Sequence, residues 1–541
     1  MKYVTIIAST IIGLLIFLFL DSCKTSSEGY LSIGPEVLRD KIAGGWAGKM
    51  VGVTYGAPTE FRAQGKIYSD SIKWKPDDIR GSMWQDDIYV QLTFLMSMDK
   101  YGIDAPAKKY QEMFAKAGYQ LWHANMQARK NYYDSIFAPA SGSPEYNIHA
   151  DDIDFQIEAD YIGFMCPGMP GTASEIADKI GHIMNYGDGV YGGIFVAALY
   201  AEAFFETDLN IIIEKALLSL PSASDYYKIV KDVIKLHNQY PDDWEASWKE
   251  LEAKWGDVDI CGAGSTFNID AKLNGAYIVM GLLYGNGDPL KTLEISTRCG
   301  QDSDCNPSNA LAVLGVIKGF KGLPIEMQQG VKSLGDSLFI HTSYSFNSAV
   351  ASTFKYANEL ITKNGGYTGD KNIMIKVQDP VAPELEVAFP DFVFDKRISV
   401  FEKGAWKMKG KWNTNEVSGR DGQVQKQAIW SDKAGDELEM SFNGTGISLT
   451  GNWFRDGGKA DIFVDGILNR TIDTYYYFAN QEHTESIWHI MNLKPGDHTV
   501  KVVVKGEKRP ESEGSRVYVA SATIFKTGSK NSDNFKFSFE K

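Results

Sequence analysis

The spacing of apolar residues predicts a helical region over residues 35–364. Apolar positions recur there at steps of three and four residues, and the breaks between them fall at Gly and Pro. Three such stripes are Val37, Leu38, Ile42 and Trp46; Ile88, Leu92, Leu95 and Met96; and Ile194, Ala197, Ala198 and Ala201. Stripes of this kind are the core-facing sides of amphipathic helices, so we expect an all-α domain.

The pattern changes after this region. Residues 365–395 carry several prolines among short β-branched patches, which is typical of a linker with some strand. Beyond them apolar and polar residues alternate in short runs, such as 460–464 and 498–504, and turns such as Asp465-Gly466 separate the runs. We therefore predict a β-sandwich of the jelly-roll type over residues 396–541.

The N-terminus has the arrangement of an export signal. An apolar run ends at Leu20, and Cys23 follows it closely. A cysteine in this place resembles the lipobox of bacterial lipoproteins, although Asp21 departs from the usual pattern. We predict a signal peptide over 1–22, lipidation of Cys23 and a polar tether over 23–34, which would make the protein an exported membrane lipoprotein facing the periplasm or the cell surface. The alternative is an uncleaved helical anchor, for which the run is barely long enough.

Chain length, net charge and the cysteines limit the classes of protein to which this chain can belong. A chain of 541 residues exceeds the usual size of one hydrophobic core. The net charge of -14 argues against binding of nucleic acid, which requires a basic face. The four remaining cysteines are Cys166, Cys261, Cys299 and Cys305. They form no CxxC pair, so the sequence suggests no structural zinc site, and their spacing does not determine a disulfide pairing.

Three acidic segments of the helical region are candidates for metal-assisted hydrolysis, which uses hard oxygen ligands from separate parts of a chain. In the first, Glu60 follows a Gly-rich turn, and the alternative is an exposed surface acid. In the second, Asp86 and Asp87 precede the amphipathic stretch 88–98. For these two residues, capping of a helix N-terminus is a sufficient structural role.

The third acidic segment lies directly before a predicted helix. Pro307 fits the first helical position, and Asn306 fits the cap. Because Asn306 can supply the cap, Asp302 and Asp304 are not both needed for it. An Asp-x-Asp loop can direct both carboxylates at one cation. Two roles therefore stay open for Asp302 and Asp304, either as metal ligands or as surface acids.

Together and in this order, the segments resemble the ADP-ribosylglycohydrolase family, which includes the dinitrogenase reductase-activating glycohydrolases. The family has a Gly-Asp-x-x-Gly element, a Gly-x-Pro-x-Glu, a Thr-Asp-Asp-Thr at a helix start and a Gly-Gly-Asp-x-Asp-Thr. The counterparts in this chain are residues 48–52, 56–60, 85–88 and 300–305. The resemblance implies an all-α catalytic domain that holds one or two Mg²⁺ ions, with Ca²⁺ as another option.

The resemblance also implies roles for individual residues. Catalytic roles fall on Glu60, as acid/base or gate, and on Asp86 and Asp304. The implied metal ligands are Gln85, Asp86, Asp87, Asp302, Asp304 and Cys305. Gln85 and Cys305 stand where the family has threonines, and a thiol suits Mg²⁺ badly. Ile88 replaces a further threonine, and Lys49 replaces the family's Asp. These departures affect whether a second metal ion binds and which substrate the site accepts.

Two further segments fall near regions where the family contacts its substrate. The candidate substrate-binding residues are Asp151, Asp152, Asp154, Asn185, Tyr186 and Asp188. For the three aspartates the alternative is a solvated loop. The segment 185–189 lacks the histidine of the family's Thr-His element.

We therefore predict a metal-dependent glycoside hydrolase that acts on an extracytoplasmic glycan or furanoside. Export would separate it from intracellular ADP-ribosyl proteins, and the sandwich resembles the galactose-binding-like domains of carbohydrate-active enzymes. Candidate sugar-stacking residues are Trp453, Tyr475, Tyr476, Tyr477 and Trp488, with a purely structural sandwich as the alternative. Two alternative functions stay open: a true ADP-ribosyl hydrolase on exported or host targets, and a catalytically degenerate glycan-binding lipoprotein.

Overall fold

A computed structural model describes residues 29–256, 259–418, 424–476 and 483–528. The predicted signal peptide and the predicted lipidation site Cys23 lie outside these residues. No helix within the described ranges has the length and apolar character needed to cross a membrane.

The first part of the chain is helical, as predicted. Its α-helices are α1 (Pro35–Gly56), α2 (Asp86–Tyr101), α3 (Ala107–Ala115), α4 (His123–Tyr133), α5 (Asp154–Glu158), α6 (Asp160–Met165), α7 (Pro170–Gly181), α8 (Asp188–Ala203), α9 (Leu209–Leu217), α10 (Asp225–Gln239), α11 (Trp244–Trp255), α12 (Ala271–Gly285), α13 (Pro289–Arg298), α14 (Cys305–Lys318), α15 (Ile325–Ser333) and α16 (Phe346–Lys363). Short 3₁₀ turns are Ala57–Thr59, Pro76–Trp84, Ala140–Gly142 and Phe320–Gly322. The predicted apolar stripes lie in the core, except that Val37 is exposed and Met96 is half-buried.

Helices α1 and α14 pack against each other at backbone distance because small residues line their contact. Gly44, Gly48, Gly52 and Gly56 recur every fourth residue on α1, and therefore lie on one face. A Cβ added at Gly56 would lie 1.9 Å from the carbonyl oxygen of Ser303, so only glycine fits there. This packing brings the end of α1 against the loop that enters α14.

The start of α14 differs from the sequence prediction. The helix begins at Cys305 with Asp304 at the cap, whereas Asn306 had been expected to be the cap. Asn306 is already inside the first turn, where its backbone N–H donates to the carbonyl of Asp302 at 3.2 Å. Its side chain donates instead to Asn274 at 3.0 Å. The helical ladder therefore starts earlier than the position of Pro307 indicated.

A small antiparallel sheet ties together the two ends of the helical part. Strand β1 (Tyr30–Ile33) pairs with β3 (Ile373–Lys376), which also pairs with β2 (Tyr367–Thr368). The end of the segment predicted as a tether and the start of the predicted linker are thus structured. Ile33, Ile373 and Ile375 are buried in this contact.

The C-terminal part is a β-rich domain of antiparallel sheets, in agreement with the predicted fold class. Its strands are β4 (Phe392–Ser399), β5 (Trp406–Lys409), β6 (Asn413–Ser418), β7 (Val424–Ser431), β8 (Glu437–Gly444), β9 (Gly446–Trp453), β10 (Lys459–Val464), β11 (Ile467–Asp473), β12 (His483–Ile490), β13 (Gly496–Val504), β14 (Val517–Val519) and β15 (Ser521–Thr527). The sheet orders are β11-β10-β13-β8-β5, β12-β9-β15-β4 and β14-β7-β6. In β10 and β13 buried and less buried residues alternate, as expected for strands with one face on a core.

The two domains contact each other through polar groups. Arg509 forms an ion pair with Asp134 at 2.6 Å. Arg470 donates to the carbonyl of Glu145 at 3.0 Å, and His489 Nε2 lies 2.8 Å from the carbonyl oxygen of Pro144. These contacts hold the β-domain against the loop between α4 and α5.

Candidate functional site

Acidic residues from three separate segments converge at the contact of α1, α2 and α14. Carboxylate oxygens of Glu60, Asp302 and Asp304 all lie within 4.8 Å of one another. The same limit holds for ligand atoms of Asp87, Asp304 and Cys305, so Asp304 belongs to both groups. We call these five residues, together with Asp86, the carboxylate site. The expected convergence of acids that are distant in sequence is therefore present.

Backbone hydrogen bonds position Glu60 beside the Asp-x-Asp loop. The N–H of Phe61 donates to the carbonyl of Gln301 at 3.1 Å, and the N–H of Gln301 donates to Ala63 at 2.8 Å. Phe61 and Gln301 have φ of 52° and 53°, a region that residues with a Cβ rarely adopt. The two loops are thus held in an uncommon conformation that sets Glu60 against Asp302.

A buried lysine lies at the floor of the carboxylate site. Lys49 Nζ is 3.0 Å from Asp87 Oδ1 and 3.1 Å from Asp160 Oδ2, and all three side chains are buried. It also donates to the carbonyl of Ile157 at 2.8 Å. Burial opposes the charge of Lys49, but Asp160 and Asp87 outweigh it and raise its pKa. The ammonium therefore stays charged and compensates part of the negative charge of the site.

The remaining acids of the site are held close together with little compensation. Desolvation of the carboxyl group, followed by repulsion from neighbouring carboxylates, raises the pKa of Glu60 to about 8, although the residue keeps a solvent-exposed side. Burial raises the pKa of Asp302 to about 8. Burial and Asp87 raise the pKa of Asp86 to about 7. The Oδ1 atom of Asp304 is buried and has no hydrogen-bond partner among the described residues. Hard oxygen donors whose negative charge is only partly compensated are suitable ligands for Mg²⁺ or Ca²⁺.

Asp86 and Asp87 begin α2, and Gln85 is its N-cap residue. The structure thus gives both acids a place at the positive end of a helix and, at the same time, in the carboxylate site. The Cys305 thiol donates to Asp87 Oδ2 at 3.1 Å, and burial together with Asp302 raises its pKa well above the usual value. Cys305 is therefore a neutral hydrogen-bond donor to a candidate ligand rather than a thiolate. The ligand roles of Gln85 and Cys305 stay predictions.

The raised pKa values predict that the metal-free protein loses stability as pH rises. Folded Glu60, Asp86 and Asp302 retain protons up to about pH 7 to 8, whereas the unfolded chain releases them near pH 4. Because the folded state binds more protons between these limits, its free energy of unfolding falls as pH increases. We expect the Tm of chelator-treated protein to drop by several degrees from about pH 5 to pH 8. Differential scanning fluorimetry measures this.

Saturating Mg²⁺ provides the control for this prediction. A bound divalent cation favours the charged carboxylates, so most of the pH-dependent loss should disappear. A Tm of the chelated protein that rises over the same pH range would contradict the assignment of these raised pKa values.

The predicted substrate-binding residues Asp151, Asp152 and Asp154 are buried rather than on a solvated loop, and Asp188 is half-buried. Asp154 accepts the backbone N–H groups of Ala124 and Asn125 at the start of α4, at 3.3 and 2.9 Å. Asp188 accepts the N–H of Tyr226 at 3.1 Å, and burial raises its pKa to about 6. Both aspartates thus have structural partners within the helical domain.

Asn185 and Tyr186 support the same region. The Asn185 amide donates to the carbonyl oxygens of Ala150 and Asp152 at 3.1 and 2.8 Å, and accepts from the N–H of Phe155 at 3.0 Å. The half-buried Tyr186 packs edge-on to His182. Asn185 therefore fixes the loop that carries Asp151 and Asp152. Substrate contacts by these residues stay predictions.

The surroundings of Asp152 were missed in the sequence. Its carboxylate lies beside His149, His123 and Cys261, and ligand atoms of the four residues lie within 4.8 Å of one another. Ligand atoms of Asp151, Asp152 and Asp270 meet the same limit. His123 and Cys261 are 138 positions apart in the chain, and no local motif joins them. The sequence indicates the acids of 151–154 with His149 directly before them, but only folding brings His123 and Cys261 to these residues.

The predicted sugar-stacking aromatic residues differ in how deeply they are buried. Trp453, Tyr476 and Trp488 are buried, Tyr475 is half-buried, and Tyr477 lies outside the described residues. Trp453 and Trp488 line a cavity of about 870 Å³ between the two domains. Binding of carbohydrate by the β-domain stays a prediction.

The fold and the converging acids define the helical part as a domain with a candidate site for metal-assisted hydrolysis. The family model described as ADP-ribosylglycohydrolase matches residues 34–349, more than half of the 541 residues. The chain belongs to the ADP-ribosylglycohydrolase family, as its motifs predicted. Membership implies hydrolase activity, and members of the family are typically metal-dependent and act on small ADP-ribose-like substrates.

Solved structures resemble each part of the chain separately. An "ADP-ribosylglycohydrolase-related protein complex" has 12% identity and covers 60% of this chain and 99% of its own, with a TM-score of 0.43. The CBM36-1 domain of a multidomain xylanase from the hindgut metagenome of Trinervitermes trinervoides has 14% identity and covers 25% of this chain and 98% of its own, with a TM-score of 0.17. A comparison with curated proteins finds no match.

Proposed function

We propose that the protein is a metal-dependent glycoside hydrolase acting on an uncharged glycan or furanoside. The observation that carries this proposal is the convergence of Glu60, Asp302 and Asp304 within 4.8 Å, with Asp87 beside them. Export as a lipoprotein through Cys23 belongs to the same proposal and rests on the sequence of the N-terminus.

Asp87, Asp302 and Asp304 would hold the divalent ion, and Asp86 lies at their edge. When bound, such an ion supplies positive charge that orients sugar hydroxyls. Cleavage of a glycosidic bond passes through an oxocarbenium-like state, which nearby carboxylates stabilise and which needs an acid for the leaving group. Glu60 is exposed toward solvent at the edge of these ligands, so it is the candidate acid that donates a proton to the leaving oxygen. The half-buried Asp86 is the candidate acceptor for the proton of the attacking water.

The charge of the region favours an uncharged substrate over ADP-ribose. Lys49 is already paired with Asp87 and Asp160, and Asp154 is a further acid whose charge acts on Asp86. The diphosphate of ADP-ribose carries negative charge, which such surroundings repel. The hydroxyl groups of a neutral sugar can instead donate hydrogen bonds to these carboxylates, without charge repulsion.

A substrate panel tests this proposal against its alternatives. The protein is incubated with Mg²⁺ and either 4-nitrophenyl furanosides and pyranosides or an ADP-ribosylated peptide. Turnover of a neutral glycoside that a chelator abolishes supports the proposal. Release of ADP-ribose alone would replace it by true ADP-ribosyl hydrolysis. Glycan binding with no turnover on either class would replace it by a degenerate glycan-binding protein.

The role of Glu60 predicts a dependence on the leaving group. Glu60→Gln removes the acid, so kcat/KM should fall about 10² to 10⁴-fold for alkyl glycosides, whose leaving groups need protonation. Glycosides of 4-nitrophenol, whose leaving group departs without a proton, should lose far less. Initial rates on both substrate types give the two ratios.

Glu36→Gln is the matched control, because Glu36 is an exposed acid in the first turn of α1. It should leave both rates unchanged. Equal losses for both leaving groups in Glu60→Gln would contradict a role as general acid and would leave Glu60 a positioning residue.

A further inference from the structure

A second group of side chains that could hold a metal ion shares no residue with the carboxylate site. His123 is the first residue of α4, His149 and Asp152 lie in the loop before α5, and Cys261 lies in the loop after α11. His149 and Asp152 are buried, and the other two are half-buried. The four residues differ from the carboxylate site in offering imidazole nitrogen.

Two of the three distances from Asp152 Oδ2 to the other ligand atoms suit a tetrahedral ion, and the third is a hydrogen bond that the ion would replace. Bonds of about 2.0 to 2.3 Å to zinc place the ligand atoms of a tetrahedron about 3.3 to 3.7 Å from one another. Asp152 Oδ2 is 3.6 Å from His123 Nδ1 and 2.8 Å from His149 Nδ1. It is also 3.4 Å from Cys261 Sγ. Small side-chain shifts would suffice to surround one ion.

Neighbouring groups orient these side chains in the way that metal ligands require. His149 Nε2 lies 3.4 Å from Glu485 Oε2 of the β-domain, which favours a proton on Nε2. The other nitrogen, Nδ1, which hydrogen-bonds to Asp152, is then the atom that would bind a metal. The ring of His123 stacks on Phe267 at 5.6 Å between ring centres. The backbone N–H of Cys261 donates to Asp259 at 2.7 Å, which holds the loop that presents the thiol.

A cysteine nucleophile is a poorer explanation of the same group. The thiol of Cys261 faces the carboxylate of Asp152, at 3.4 and 3.6 Å from its two oxygens. A nucleophilic cysteine reacts as a thiolate, and the facing carboxylate disfavours that charge, whereas a divalent cation can bind thiolate and carboxylate together.

We propose that His123, His149, Asp152 and Cys261 form a second metal site that binds Zn²⁺. Imidazole and thiolate donors select zinc over Mg²⁺, whereas the carboxylates that dominate the carboxylate site have the opposite preference. The absence of a CxxC pair had pointed away from zinc, because that motif finds only ligands that are close in sequence. Since Glu485 belongs to the β-domain, the ion would also link the two domains near the candidate reaction centre. Phe267, which stacks on His123, packs against Phe61 next to Glu60 at 5.1 Å.

Metal content and the spectrum of a cobalt derivative test this proposal without any substrate. The full chain is stripped with a chelator and reloaded with Zn²⁺ or Co²⁺ in the presence of Mg²⁺. We expect one zinc per chain by elemental analysis and, with cobalt, a thiolate-to-metal charge-transfer band. Cys261→Ser should abolish the band, and Glu485→Gln should weaken zinc affinity about 10 to 100-fold.

Two controls separate this site from the carboxylate site and from misfolding. Cys299→Ala changes another free cysteine and should keep both the zinc and the band. Asp304→Asn should also keep both, because Asp304 belongs to the other group. His149→Gln, checked for native circular dichroism, serves as a second ligand variant if Cys261→Ser does not fold. Zinc below about 0.2 per wild-type chain, a band that survives Cys261→Ser, or loss of zinc in Asp304→Asn would each overturn the proposal.

Discussion

Replacing Asp304 with asparagine is expected to lower kcat/KM by at least about 10³-fold and to abolish binding of Mg²⁺. Asp304 is the residue shared by the two ligand groups of the carboxylate site. Its Oδ1 atom is buried without a hydrogen-bond partner among the described residues, as a ligand oxygen would be. An ion that stabilises charge at the reaction centre contributes several kcal/mol to the transition state, and about 4 kcal/mol corresponds to 10³-fold.

Isothermal titration with Mg²⁺ and initial rates on the best glycoside of the panel measure the two effects. Asp77→Asn is the control, because Asp77 is an exposed acid on the 3₁₀ turn Pro76–Trp84. It should change neither quantity. An Asp304→Asn protein that keeps wild-type turnover would remove the carboxylate site from the reaction, whatever its affinity for Mg²⁺.

The residues of this site were predictable because short motifs mark them. Glu60, Asp86 and Asp302 each lie at a loop that enters or leaves a helix, where the sequence shows both the glycines and the acids. The order of the motifs then indicated that they meet. The sequence did not show which contact brings them together. That contact is the close packing of α1 on α14 through glycines spaced four residues apart.

The partners of isolated residues were not predictable. Lys49 stood out only as a departure from a motif, yet its ammonium pairs with Asp160, which lies 111 positions further along the chain. His123 was not predicted as a ligand, since a single histidine in a helical region is most often structural. Contacts between residues that are distant in sequence depend on the packing of many helices, and amphipathic periodicity indicates the buried face of a helix but not its neighbour.

The buried ion pairs of Lys49 lead to the prediction with the largest effect on stability. Lys49→Met keeps the length of the side chain but leaves Asp87 and Asp160 without their cation, and removes a donor from the carbonyl of Ile157. Loss of one partner from a buried charged group costs about 3 to 5 kcal/mol. We expect that decrease in the free energy of unfolding of the metal-free protein at pH 8, measured by urea denaturation followed by tryptophan fluorescence.

The pH dependence and a second substitution distinguish lost charge from lost packing. Lys49 opposes the effect of burial on the pKa of Asp160, so without it Asp160 protonates more readily in the folded state. The decrease should therefore be smaller near pH 5 than at pH 8. Adding Asp160→Asn to Lys49→Met removes one uncompensated charge and should restore part of the stability. Lys355→Met, at a lysine whose side chain is 63% exposed and 3.9 Å from Asp99, should cost less than about 1 kcal/mol. If Lys49→Met costs no more than this control, or costs the same at both pH values, then Lys49 contributes packing alone, and the negative charge of the site is compensated by other groups.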